Sequence, residues 1–287
     1  MLNELDIIVD VGAEYDFSRL RLDHHQNTFS EYWNKECPKI GDIKLSSAGL
    51  VYRHFGKDFI RSMTKQIYDQ DLTEAQIDYL YPLLYKKLIL EIDAIDNGVS
   101  EAKEMKYMVG SGLASRVGRL NPDWESTDKE AQHTQFKKAM VIAEEELVWK
   151  IKELTQTRLK VYEYVKGAFE KKEQFHPSGE LMCLEKGCMW KGPLFELEEE
   201  FGQQGKVKFV LYPDQRQQWR IQTVPPSEGS FDQRVSLKKE WRGVRDQELG
   251  SVSGIEDAIF VHASGFIGGA VSQASCIRMA LESIEAA

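Results

Sequence analysis

From Asp128 to Phe169 apolar residues return every three or four positions: Phe136, Met140, Ala143, Leu147, Ile151, Leu154, Val161 and Val165. That is the period of an amphipathic helix. At 1.5 Å per residue an unbroken helix of this extent would run roughly 60 Å, about twice the diameter of a small domain. No single small globule can hold it. The run must break into two helices or connect two bodies, and 287 residues are enough for two domains of ordinary size. Core packing accounts for the stripe more simply than a coiled-coil partner does.

The two sides of the run differ in texture. On the N-terminal side, "LDIIVDVG" is a short apolar stretch closed by Gly12 and fits a buried strand of a parallel sheet. "YDFSRLRLDHH" reads as loop, short strand, loop. "KLSSAGLVYRHFGKDFI" turns helical with Ser46 or Ser47 as N-cap. Pro82 interrupts or starts a helix in "IDYLYPLLYKKLILEIDAIDNG", and Asn97-Gly98 stops it. On the C-terminal side, "GELMCLEKG", "KVKFVLYPD", "QWRIQTVP" and "AIFVHASGF" read as strands, and "SQASCIRMALESIEAA" as a helix. The expected fold class is α/β. An N-terminal domain covers 1–127, a helical connector 128–171 and an α+β domain 172–287.

Several classes fall away. A net charge of −9 does not announce nucleic-acid binding by the surface as a whole, although a local basic patch can still provide it. Cysteines at 37, 183, 188 and 276 are too sparse for a disulfide framework and suit a reducing compartment. Cys183 and Cys188 have no second pair nearby, whereas structural zinc wants four ligands. No apolar run reaches the roughly 18–20 residues of a membrane span. The opening residues "MLNELDIIVD" show no basic, targeting-type segment, so an intracellular protein is expected.

Chemistry concentrates near the start. Asp10, Asp16, Asp23, His24 and His25 fall within one short region. Asp10 closes a strand, Asp23 and His24 follow a second one, and open α/β sheets bind ligands at that edge. Asp93 and Asp96 end a helix three residues apart, hence on one face. Oxygen-rich sites with one or two imidazoles suit manganese or magnesium. Taken singly, a strand-end Asp is more often a loop cap and a loop His pair is usually just solvated.

These stretches resemble the DHH superfamily of phosphoesterases, and more closely the melanocyte-proliferating-gene (MYG) exonuclease family. The resemblance rests on "IIVDVGAEYD", "RLDHHQNTF", "KLSSAGLVYRHFG", "EIDAIDNGVS", "LASRVGRLNPDW", "QWRIQTVP", "EWRGVRDQEL" and "VSGIEDAIFVHASGFIGG", which span the chain. It implies metal ligation by Asp10, Asp23, His24 and Asp96 (or Asp93), with two Mn2+ as cofactor and Mg2+ as the alternative. It implies Asp23 and His25 as catalytic residues, His25 facing the scissile phosphate. "HASGFIGG" resembles the family's phosphate-holding loop, with His262, Ser264, Gly265, Gly268 and Gly269 as substrate contacts together with Arg242 and Arg245. The implied activity is metal-dependent 3′→5′ exonuclease action on RNA or single-stranded nucleic acid, in a cleft between two domains, in the nucleus or mitochondrion. Such family members begin with a strand and a loop carrying further ligands ahead of the region matching Asp10, so this sequence reads as an N-terminally truncated DHH-type domain. The competing expectations are an impaired member acting as a binding or structural protein, and a small-molecule phosphoesterase.

A further cluster bears on substrate. Arg216, Arg220, Arg234, Lys238, Lys239, Arg242 and Arg245 interleave with Trp219, Phe231 and Trp241, which suits single-stranded nucleic acid. A solvated face with core tryptophans is the plain alternative. "FELEEE" reads as a solvated acidic run. No membrane partner is expected, and the oligomeric state is left open.

Overall fold

A computed structural model describes residues 4–33, 43–125 and 128–287. Cys37 therefore lies outside the described residues. The chain divides into two compact units, Met1–Leu159 and Lys160–Ala287. The architecture is mixed α/β, with one mixed sheet in each unit.

In the first unit three two-residue strands make a small sheet: β1 (Ile8–Val9), β2 (Tyr15–Asp16) and β3 (Arg21–Leu22). β1 lies parallel to β3, and β2 lies antiparallel to β3. The antiparallel pair is closed by a single 3-10 turn, Phe17–Arg19, capped by the Asp16 carboxylate accepting from Ser18 N–H. The sheet is thus mixed, not wholly parallel. Nor is β1 a buried strand. Ile8 is buried, while Ile7, Val9 and Val11 are exposed, so alternate side chains stand on an open face.

Helix α1 (Ser47–Tyr68) starts at Ser46, whose hydroxyl accepts from Gly49 N–H. Helix α2 (Glu74–Leu84) opens with a full capping box between Thr73 and Gln76. Pro82 lies inside α2 and does not end it. The helical path loosens into a π-turn, Tyr85–Ile89, and resumes as α3 (Leu90–Asp96). Proline donates no backbone hydrogen bond and crowds the carbonyl four residues back, and a wider turn is one way to absorb the mismatch. Asn97 caps α3 and Gly98 follows at φ 68°. A short α4 (Leu113–Gly118) precedes α5 (Lys129–Lys152), which Asp128 caps. A second π-turn, Glu153–Arg158, follows α5, and α6 (Leu159–Glu170) follows that. The long periodic stretch is thus helical throughout but broken in phase. Its stripe is also uneven: Ile151, Leu154 and Val165 are buried, while Phe136 and Met140 are exposed. An aromatic nest anchors this unit's core, with Trp33 stacked 3.8 Å from Tyr85 and packed against Tyr52 and Tyr81.

The second unit holds a five-stranded sheet ordered β4 (Leu181–Cys183), β5 (Phe209–Pro213), β6 (Trp219–Thr223), β8 (Ile267–Ala270), β7 (Ala258–Val261). Only β4–β5 is parallel. After the single turn α7 (Lys172–Phe175), the longer helices are α8 (Lys191–Glu200), α9 (Asp246–Ser253) and α10 (Gln273–Glu285). Phe209, Leu211, Ile221, Trp241, Leu249 and Met279 fill the core. The acidic run on α8 is not wholly solvated. Glu198 is 1 % exposed and takes a two-pronged hydrogen bond from Arg234 at 2.7 Å on each oxygen. Its carboxylate also accepts the N–H groups of Val207 and Gly205.

Candidate metal centre

The end of β1 delivers the first ligand candidate. Asp10 N–H donates to Leu22 O, so the strand pairing carries through to this residue, and then the backbone swings to φ 65°. A non-glycine residue in the left-handed region is uncommon, and aspartate tolerates it better than most. The turn leaves the Asp10 side chain largely in solvent. β3 delivers Asp23, 1 % exposed, followed by His24 and the exposed His25. Asp10, Asp23, His24 and His25 each place one donor atom within 4.8 Å of the others.

Asp23 is heavily used. One oxygen accepts Ala13 N–H at 2.6 Å, and the other accepts His25 N–H at 3.2 Å and meets His25 Nδ1 at 2.6 Å. Burial opposes charge on Asp23. The His25 ring, the two N–H donors and the His25 charge outweigh it and hold the carboxyl below the ordinary range. In return, the hydrogen bond to Asp23 lifts the His25 imidazole above its usual value, with help from Asp10 and Asp96 against partial desolvation. Asp23 therefore orients His25 and favours its protonated form.

His24 has Nδ1 3.9 Å from Asp10 Oδ1 and makes closer contacts elsewhere. Its Nε2 lies 3.0 Å from Asp96 Oδ2, and its Nδ1 meets Ser47 at the start of α1. Two ligand atoms at neighbouring corners of an octahedral ion, each about 2.1 Å from it, are separated by about 3 Å. The His24–Asp96 spacing therefore fits two atoms ready to share one cation, and it equally fits a direct hydrogen bond. Carboxylates with one or two imidazoles form the oxygen-rich donor set of manganese and magnesium.

Asp93 does not join them. It is fully buried and accepts Ser46 N–H at 2.9 Å, Ser46 O–H at 2.7 Å and Tyr85 O–H at 2.7 Å. Burial raises its carboxyl above the ordinary range despite these donors, and Asp96 adds to the rise. Asp96, half-exposed, is the acid beside His24. Nothing in the spacing "DAID" separates the two; the tie between Asp93 and Ser46, 47 residues apart, does.

In the second unit "HASGFIGG" is a hairpin. His262 and Ser264 are exposed, and Ser264 N–H donates to His262 Nδ1 at 3.2 Å. Gly265 N–H closes the turn on His262 O, with Gly265 at φ 73°. Arg242 packs across this turn: it donates from Nε to Leu237 O at 2.8 Å, and a Cβ on Gly265 would stand 2.8 Å from the same nitrogen. Gly268 and Gly269 lie beyond the turn in the interior strand β8, where a Cβ on Gly269 would meet Arg220 and Trp219 O. Arg245 is exposed and lies over the Phe260 ring. Three members of the basic cluster are held by acids. Arg220 pairs with Asp214, Arg234 with Glu198 and Lys238 with Glu282. Trp241 is buried, while Phe231 is 98 % exposed.

An α/β protein with a carboxylate–imidazole cluster at a strand end is what these residues define. The family model MYG1_exonuc, described as an uncharacterised protein family (UPF0160), matches residues 1–284. The chain is 41% identical to "MYG1 exonuclease" of Bos taurus over 96% of its own length and 72% of that protein's. It is 41% identical to "MYG1 exonuclease" of Homo sapiens over 97% and 74%, and 39% identical to "MYG1 protein" of Dictyostelium discoideum over 99% and 84%. The chain belongs to the MYG1 exonuclease family. No solved structure matches it. Among the described residues no helix is long and apolar enough to cross a membrane.

Proposed function

We propose that this chain is a metal-dependent hydrolase of phosphodiester bonds, acting as a 3′→5′ exonuclease on RNA or single-stranded nucleic acid. The observation that carries the reading is the convergence of Asp10, Asp23, His24 and His25 within 4.8 Å, in a chain whose relatives are named exonucleases. The first unit is then a DHH-type metal domain. Asp10, Asp23, His24 and Asp96 are the ligand candidates for two Mn2+ ions, with Mg2+ as the alternative. Bound there, such ions supply an activated water and charge stabilisation for the phosphodiester. His25, held by Asp23, would meet a phosphate oxygen and give a proton to the leaving oxygen. In the second unit His262, Ser264, Gly265 and Arg242 gather at one turn, with Arg245 exposed nearby in sequence, and they are the candidates for holding the substrate strand. In this reading Gly268 and Gly269 shape the strand behind that turn.

The test is release of mononucleotides by the purified chain, with manganese, from single-stranded RNA labelled at either end. The expected result is stepwise shortening from the 3′ end, abolished by His24→Ala or Asp10→Asn and weakened about 100-fold or more by His25→Ala. Shortening that survives all three changes, or none with the intact chain, overturns the proposal.

A further inference from the structure

Ser47 stands at the first position of α1, 2 % exposed, with no ligand role in the reading above. It meets one atom twice. Its Oγ lies 3.0 Å from His24 Nδ1, and its backbone N–H donates to that same nitrogen at 3.1 Å. The N–H is one of the donors that a helix start leaves without an intrahelical partner, so it is available. The neighbouring Ser46 turns the other way and gives both its N–H and its O–H to Asp93. Asp93 sits one turn before Asp96 on α3. Two consecutive serines thus grip two elements: one holds His24, and the other holds the helix that carries Asp96. Gly49 completes the stretch "SSAG", because a Cβ there would stand 2.4 Å from Asp93 Oδ1.

We infer that Ser47 is a positioning residue for the metal centre, fixing the His24 ring through Nδ1 so that Nε2 stays turned toward Asp96. This deepens the metal-hydrolase reading and rests on it. The hydroxyl is the part that matters for the ion. When Nε2 gives its lone pair to a cation, the ring hydrogen has to reside on Nδ1 and needs an acceptor. The Ser47 N–H cannot be that acceptor, whereas Ser47 Oγ at 3.0 Å can. Without an ion the N–H suffices: it donates to Nδ1, and Nε2–H reaches Asp96 Oδ2. One residue therefore offers the same ring nitrogen a donor and an acceptor. Removing the side chain removes only the acceptor.

The test compares Ser47→Ala and Ser46→Ala in the full chain, with manganese alone as the probe. Manganese affinity is read by titration calorimetry and stability by melting without metal. Ser47→Ala is expected to weaken manganese binding by about 10–100-fold, the usual effect of losing such a partner, and to leave the metal-free melting temperature unchanged. Ser46→Ala is expected to lower the metal-free melting temperature. A Ser47→Ala chain that binds manganese as the wild type does overturns this inference alone. So does one whose metal-free melting falls as far as that of Ser46→Ala, because Ser47 would then be an ordinary packing residue. A wild-type chain that binds no manganese overturns the metal reading, and this inference with it.

Discussion

Gly49 yields its side-chain space to the carboxylate of Asp93. A Cβ at position 49 would fall 2.4 Å from Oδ1 and 2.5 Å from Oδ2. The carboxylate cannot retreat without leaving Ser46 and Tyr85, which hold it from two sides. Gly49→Ala should therefore cost about 3 kcal/mol or more of the first unit's stability, combining overpacking with unmade hydrogen bonds to a buried charge. Urea unfolding measures it, and a loss below about 1 kcal/mol would show that the carboxylate has room to move.

The two acids of α3 should separate by what they damage. Asp93→Asn replaces an acceptor-only group with one that turns an N–H2 toward donors, and should destabilise by about 2–4 kcal/mol. Asp96→Asn, in a half-exposed residue, should leave stability within about 0.5 kcal/mol and weaken manganese binding at least tenfold. Calorimetry and urea unfolding on the same two proteins decide it. Weaker metal binding from Asp93→Asn without loss of stability would reverse the assignment.

That contrast marks how far the sequence could be read. A serine cap at Ser46 or Ser47, Asn97-Gly98 as the stop, the strands at 181–183, 209–213, 219–223 and 258–261 and the last helix all follow from local chemistry, which is what a sequence displays; the choice of Ser46 came from the structure. The cluster of Asp10, Asp23, His24 and His25 was legible because one sheet edge gathers it from nearby residues. Partners far apart in the chain stayed hidden. Arg234 counts as a free cation in a basic run until Glu198, 36 residues earlier, is seen to hold it. Gly268 and Gly269 look like loop residues until Leu237 and Phe260 O are found in the space a side chain at 268 would take, and Arg220 and Trp219 O in that at 269.

The Arg234–Glu198 pair gives a prediction for the second unit. Both side chains are almost wholly buried, and Glu198 has backbone donors besides Arg234. Arg234→Met would leave that carboxylate buried without its counter-charge and should cost about 3–5 kcal/mol. Thermal unfolding followed by calorimetry should show the loss in the transition belonging to the second unit. An unchanged transition would mean that solvent reaches Glu198 more readily than its burial indicates.

His54 supplies a pH dependence away from the metal centre. It stacks on Phe17 with ring centroids 3.6 Å apart and meets Tyr15 Oη at 3.0 Å. Burial, then the neighbouring Arg53 charge, push its imidazole below the ordinary 6.5, with Glu31 opposing. The folded state therefore binds this proton less readily than the unfolded chain. The contribution is fully present above about pH 6.5, declines as pH falls toward the lower folded value, and then levels off. His54→Phe, which keeps the stacking, should flatten that part of the profile. Urea midpoints from pH 8 to pH 5 compare the two chains, and parallel profiles would remove His54 from the account.

The π-turn at Tyr85–Ile89 has a consequence for the acids downstream of it. A turn of that kind holds one more residue than an α-turn, so everything after it is rotated by about 100° from where an uninterrupted helix would put it. Asp93 reaches Ser46, and Asp96 reaches His24, in that rotated frame. Shortening the stretch by a single residue would leave every side chain chemically intact and aim both acids elsewhere. The pairing of these acids with their partners is therefore encoded as a count of residues as much as a choice of residue types.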